Sequence, residues 1–402
     1  MRTVFHGGQV FDATGTAVAD GDVVVVDGRI VDVGPGLDGD DGVDCTGATV
    51  LPGFIDCHVH FMASGDLDPM TGVRTPFSLR FFQAAENMRT TLAAGITSAR
   101  DAGGTDLGVK TARDRGLITG PRTTISITAL SQTGGHGDSW QVCGAHMPRF
   151  TIPHPGSPDN IVDGPDEMRR KVRELVRAGA EVIKVCTSGG VLSPRDDPRH
   201  GHFRDAELSV LVEEATAAGI HVMAHAQATD GIKAAVRNGI RSIEHGIFLD
   251  DEAIQMMLDR GTYLVPTLMA PRGVLEAAAA GIAVPPEAVT KTKMVIEEHF
   301  SSITRAIAAG VKVAMGTDSG VMPHGRNLEE LALLVECGMA PVDTLLATTR
   351  VAAELIGIED TVGTLTPGKV ADVVVVDGDP LDVVTLPQRI RAVYQAGRLV
   401  AA

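Results

Sequence analysis

The apolar positions of this chain follow two rhythms. Near each end they form unbroken valine runs: Asp22 to Gly28 and Asp372 to Gly378 both read DVVVVDG, followed by RIVDVG and IRAVYQAGRLV respectively. β-Branched runs closed by Asp-Gly predict strands and hairpin turns. Pairing the strands of the two ends in one small sheet satisfies their edges. The expectation is a small β-sandwich formed by both termini, residues 1–50 and 358–402.

Between these ends, short apolar runs alternate with helical stretches. The strand candidates are GFIDCHVHF, GITSARDAG, RTTISITALS, EVIKVCTSGG, IHVMAHA, IRSIEHG, TYLVPTLM and VKVAMGTDSG, eight in all. Helical stretches fall between them, among them DEMRRKVRELVRAG and DAELSVLVEEATAAG, each closing at a glycine placed like a C-cap. Regular alternation implies parallel pairing, and eight units is the number that closes a barrel. The predicted fold class is therefore α/β, a (β/α)8 TIM barrel over residues 51–357 carrying the terminal β-sandwich.

Composition narrows the function. The chain has 402 residues, 44% hydrophobic and 21% charged, with a net charge of −16 and no Lys/Arg-rich run, which argues against nucleic acid as a partner. No apolar stretch approaches the roughly 20 residues that span a bilayer, and the start MRTVFHGGQVFDATG lacks a charged leader with an apolar core. A cytoplasmic protein without a membrane partner is expected. Five scattered cysteines with no C-x-x-C pair suggest reduced thiols.

His58, His60, Lys184, His225, His245 and Asp318 all fall at or near the end of one of the apolar strands. In a barrel those ends converge on one face, so residues distant in sequence meet there. His58 and His60 share parity along their strand, as chelation requires. Lys184 lies between Ile183 and Val185, where a buried charge is costly. It must be neutralised, modified or paired. A neutral amine can take up carbon dioxide as a carbamate whose two oxygens bridge two metals; the competing reading is a side chain that reaches solvent or pairs with Glu181.

The set H-x-H in GFIDCHVHF, Lys in IKVCTSGG, His in MAHA, His in SIEHG and Asp in GTDSG resembles the amidohydrolase superfamily over essentially the whole chain. The loop SQTGGHGD is similar to that of the imidazolonepropionase-related branch, which includes Xaa-Pro dipeptidases and Xaa-Arg or Xaa-Lys carboxypeptidases. The resemblance implies two divalent cations, zinc foremost: His58, His60 and Asp318 on the more buried, His225 and His245 on the more exposed, carboxylated Lys184 bridging both. Two such cations would share a water, lower its pKa toward ~7 and polarise a carbonyl. Asp318 would then carry the proton to the leaving nitrogen, and His136 in TGGHGD would donate to the developing oxyanion.

Two residues after His225, where dipeptidase-like members often carry Tyr, this chain has Gln227, whose amide offers a hydrogen bond to substrate but no acidic hydroxyl. The loop GGVLSPRDDPRHGHFRD carries Arg195, Arg199, Arg204, His200 and His202 beside the expected site, together with Asp196, Asp197 and Asp205 that pair with them or leave them to clamp a carboxylate. The leading reading is hydrolysis of a C–N bond in a dipeptide, N-acyl amino acid, carbamate or urea. The alternatives are a mononuclear cyclic-amide hydrolase or deaminase and a metal-free binding or scaffold protein. A small-molecule substrate and a homo-oligomer are expected.

Overall fold

The computed structural model describes residues 1–15, 17–147 and 153–402. The chain opens with five strands, β1 (Arg2–Val10), β2 (Ala19–Val26), β3 (Arg29–Gly34), β4 (Asp41–Asp44) and β5 (Ala48–Pro52). Eight more follow: β6 (Phe54–Val59), β7 (Ile96–Asp101), β8 (Arg122–Ile125), β9 (Ala129–Leu130), β10 (Val182–Cys186), β11 (His221–Ala226), β12 (Ser242–His245) and β13 (Tyr263–Val265). The chain closes with β14 (Val373–Asp377), β15 (Ile390–Gln395) and β16 (Arg398–Ala401).

Strands from both ends share one sheet, in the order β16-β15-β14-β5-β1-β2-β3, with β4 paired to β1. The two valine runs do not touch as partners; β5 and β1 lie between β14 and β2, and β14 runs antiparallel to β5. Alternation then assigns the faces. Val373 and Val375 pack with Val23, Val25 and Phe5 in the sheet's own core, whereas Val374 and Val376 belong to the large core of the barrel. One strand thus joins the two layers.

The barrel strands pair in parallel, β6-β7-β8 in one set and β9 to β13 in the other. The third apolar run is broken in two, because Ile127 between β8 and β9 takes a left-handed backbone (φ 69) that no ladder accommodates. The eighth run, 311–320, is not a ladder strand. It meets its neighbours through the isolated bridges Leu264↔Val313 and Val59↔Ser319 and through bonds such as Asp318 N to His58 O at 2.7 Å. Two features interrupt it: Gly316 sits so close that a Cβ would lie 2.4 Å from Val265 Cγ1, and Asp318 is left-handed at φ 61. Those contacts still close the ring.

The helix Pro165–Ala178 ends at Gly179 in the left-handed conformation, as its sequence predicts. After Asp205–Ala217 the cap Ala218 stays right-handed, and the turn falls one residue later at Gly219 (φ 73). All five cysteines are free thiols, four of them buried and Cys143 exposed. Among the described residues, no helix is long and apolar enough to cross a membrane.

Candidate metal centre

All six expected ligand residues line one cavity of ≈ 840 Å³ at the strand ends. His58 lies one residue before the end of β6 and His60 just beyond it; Lys184 is the middle of β10, His225 is near the end of β11 and His245 ends β12. Ligand atoms of His58, His60 and Asp318 fall within 4.8 Å of one another, a grouping able to hold a metal ion. The His225 and His245 rings are 4.6 Å apart, and His245 lies 5.2 Å from His58, so the second pair adjoins the first. His245 (φ 72) and Asp318 (φ 61) both take left-handed backbones, strain that tends to persist where function maintains it.

The hydrogen bonds behind the rings fix what the front can do. His60 Nδ1 donates to Gly103 O at 2.7 Å and His225 Nε2 to Gly189 O at 3.0 Å, since a carbonyl only accepts. Thr267 gives its one hydroxyl proton to Pro266 O, so it accepts from His245 Nδ1 at 2.7 Å. His58 Nδ1 meets the Glu244 carboxylate at 2.7 Å. In the neutral form these bonds make the other ring nitrogen the acceptor, Nε2 of His58, His60 and His245 and Nδ1 of His225; Lys184 Nζ lies 3.4 Å from that nitrogen of His58 and Asp318 Oδ1 3.2 Å from that of His60. Burial, reinforced by neighbouring cationic groups, pushes the pKa values of His58, His225 and His245 well below the usual imidazole range, which keeps them neutral.

Asp318 Oδ1 is buried with no hydrogen-bond donor, yet lies 3.2 Å from His60 Nε2 and 3.5 Å from His58 Nε2. Lone pairs facing a carboxylate oxygen at that distance repel unless a cation or proton stands between them. Burial acts to lower the His60 pKa, but the Asp318 carboxylate 3.2 Å away outweighs it and raises it. Burial likewise opposes ionisation of Asp318, and His58 and His60 overcome it, holding the carboxyl at about 2. The donor set therefore fits a divalent cation.

Lys184 is 3% exposed, with Nζ 3.4 Å from His58 Nε2, and forms no ion pair among the described residues. Glu181, its alternative partner, binds Lys110 instead at 3.3 Å. Burial lowers the Lys184 pKa, although Glu244 opposes this. A neutral buried amine beside an imidazole is nucleophilic toward carbon dioxide.

The opposite wall is built from loops. His136 stacks on His225 with centroids 4.1 Å apart, its Nδ1 2.8 Å from Ser193 Oγ and 3.6 Å from Asp196. Gly190 makes room for that ring, since a Cβ there would lie 2.3 Å from His136 Cε1. Gln227 lines the cavity, with its Oε1 buried and unpaired. Of the loop arginines only Arg195 reaches the cavity, over the Trp140 ring at 4.7 Å; Arg199 pairs with Asp197, and Arg204 bonds Phe203 O. Asp205 pairs with Arg237 and Asp196 with Lys291.

Two residues of the site escaped the sequence reading. Glu244 not only holds His58 but also binds Arg100 at 2.9 Å, and both are almost wholly buried in the barrel. An acid inside the apolar run IRSIEHG carried the same signal as Lys184. Asp56 is the second, accepting from His58 N at 3.0 Å and Thr317 Oγ1 at 2.7 Å and so tying the H-x-H segment to the segment that bears Asp318.

Known proteins resemble this chain in sequence and fold. Residues 49–400 match the amidohydrolase family. Ochratoxinase of Aspergillus niger is 35% identical over 366 residues, 87% of this chain and 75% of its own. Imidazolonepropionase of Rhizorhabdus wittichii is 28% identical over 403 residues, 90% of this chain and 88% of its own. A Xaa-Pro dipeptidase structure with bound methionine superposes with a TM-score of 0.92 at 30% identity, covering 99% of both chains. A prolidase complexed with N-methylphosphonate-L-proline gives 0.90 at 35% identity, again over 99% of each chain. The chain belongs to the amidohydrolase family and is a hydrolase of carbon–nitrogen bonds.

Proposed function

We propose that the chain is a binuclear metal-dependent hydrolase that cleaves the amide bond of dipeptides or N-acyl amino acids. The observation that carries this reading is the meeting of six ligand-type side chains on one cavity, with Lys184 buried among them and unpaired by any acid of the described residues. His58, His60 and Asp318 would hold one cation, His225 and His245 the other, and carboxylated Lys184 would join them. Imidazole and carboxylate donors suit zinc. Divalent cations bound there supply Lewis-acid activation of water and of the substrate carbonyl.

The protein's own groups do the rest. Asp318, kept ionised and without a donor on Oδ1, accepts the proton released at attack and returns it to the leaving nitrogen. His136 is anchored through Nδ1 by Ser193 and Asp196 and by its stack on His225, which leaves Nε2 to donate, when protonated, to the oxygen that gains charge. Gln227 offers its unpaired Oε1 to a substrate N–H. The prolidase and Xaa-Pro dipeptidase among the similar structures favour dipeptides and their N-acyl analogues over carbamates and ureas.

Purified protein loaded with zinc is to be analysed for metal by mass spectrometry and assayed against dipeptides, N-acyl amino acids, carbamates, ureas and cyclic amides. Near two equivalents of metal with turnover of the first two classes is the expected result. One equivalent with ring opening or deamination would favour the mononuclear alternative, and no metal with no turnover the scaffold.

A further inference from the structure

We infer that a second cavity, walled off from the metal centre by Leu192, is an anion-binding site built on Arg80. The cavity holds ≈ 220 Å³ and is lined by Ser64, Thr71, Thr75, Gln83 and Arg80, among others, while Leu192 lines both it and the main cavity. Arg80 is 6% exposed. Its Nη2 donates to Gly72 O at 3.0 Å, and its Nε is buried with no partner among the described residues. A guanidinium has five N–H donors in a planar fork suited to a carboxylate or another oxyanion.

The local field makes this cation more unusual. Arg80 stands in the first turn of the helix Leu79–Ala93, which has no acidic residue in that turn. The positive end of the helix dipole and the guanidinium therefore add, where a carboxylate is the favoured neighbour. The two acids on the cavity wall do not compensate: Asp66 accepts from Asp68 N and Asp68 caps Met70 N, both at 2.9 Å, and neither forms an ion pair with Arg80. Burial lowers its pKa. A buried, uncompensated charge of this kind destabilises the protein until an anion enters.

The ligand is a small carboxylate or oxyanion, either free or carried on the acyl side of a substrate that reaches past Leu192. Its binding does not depend on the reaction proposed above. Zinc-loaded wild type and Arg80→Met are to be titrated with sulfate while thermal unfolding is followed. Sulfate is expected to raise the wild-type Tm saturably, on the order of 4 °C, and to leave Arg80→Met unmoved, while without sulfate the variant is at least as stable as wild type. A variant that is less stable without sulfate and responds to it like wild type would overturn the site, giving Arg80 a structural role only. If Arg80→Met does not fold, Arg80→Gln carries the comparison, and an undiminished sulfate response in it has the same meaning. A tenfold or greater loss of kcat/KM on N-succinyl amino acids, with N-acetyl analogues unaffected, would assign the anion to the substrate. A sulfate response without that selectivity would assign it to a free anion.

Discussion

The two walls of the main cavity satisfy their polar groups in opposite ways. On the strand-end wall, every ligand-type histidine is bonded behind the ring, and in front the acceptor Nε2 of His58 and of His60 lies 3.5 Å and 3.2 Å from the buried Asp318 Oδ1. On the loop wall, the charges have partners within the protein: Asp196 meets Lys291 at 3.0 Å, which also bonds Gly190 O at 3.0 Å and Ser193 O at 2.8 Å, and Arg195 lies over the Trp140 ring and bonds Trp140 O. Rigid strands can hold lone pairs in mutual opposition because the barrel prevents their relaxation. Loops cannot, so they neutralise themselves. In the proposed function, reaction chemistry is thus concentrated on one wall, and the other is left to position His136 and to select substrate.

The largest effects should come from breaking the strand wall. Lys184→Ala is expected to cut kcat on the order of 10³-fold, to lower metal content by at least one equivalent, and to be partly rescued by formate or acetate. Unchanged metal and rate would remove Lys184 from the centre. Glu244→Ala attacks from behind, freeing His58 and stranding Arg100 as a buried lone charge. It should weaken metal binding about 10- to 100-fold and cost about 3–5 kcal/mol of stability, readable by metal competition and denaturant unfolding. Wild-type metal affinity in that variant would show that the bond behind the ring is dispensable.

How much of this was legible without coordinates follows the same division. The H-x-H parity, the buried Lys184 and the ends of the apolar runs all depend on the two-residue period of a strand, which sequence displays directly. The left-handed turns at Ile127, His245 and Asp318 do not, because none is a glycine and nothing local demands that conformation. They are imposed by tertiary contacts, and they split the third run and interrupt the eighth. The loop wall was legible only as a set of charges. Asp196, Asp197 and Asp205 were visible as candidate partners, but Lys291 and Arg237 lie far along the chain, so which cation each would meet was set by the fold.

Perturbing the loop wall should therefore change rates without emptying the centre. His136→Ala removes a ring that touches His225 but is not among the proposed ligands. A fall in kcat of about 10²-fold with full metal content is expected; loss of metal would make His136 part of the strand wall's machinery.

The smallest effect belongs to Gln227. Its Oε1 is the loop wall's one exception among the described residues there, a buried acceptor that no protein group satisfies. If substrate N–H is its partner, Gln227→Leu loses a neutral hydrogen bond of about 1 kcal/mol, which appears as a KM raised about fivefold with little change in kcat. The same substitution removes an orphaned polar atom from the interior, so the Tm of the ligand-free protein should hold or rise. An unchanged KM with a lowered Tm would mean that the amide supports the loop rather than the substrate, and the loop wall would then have no open acceptor of its own.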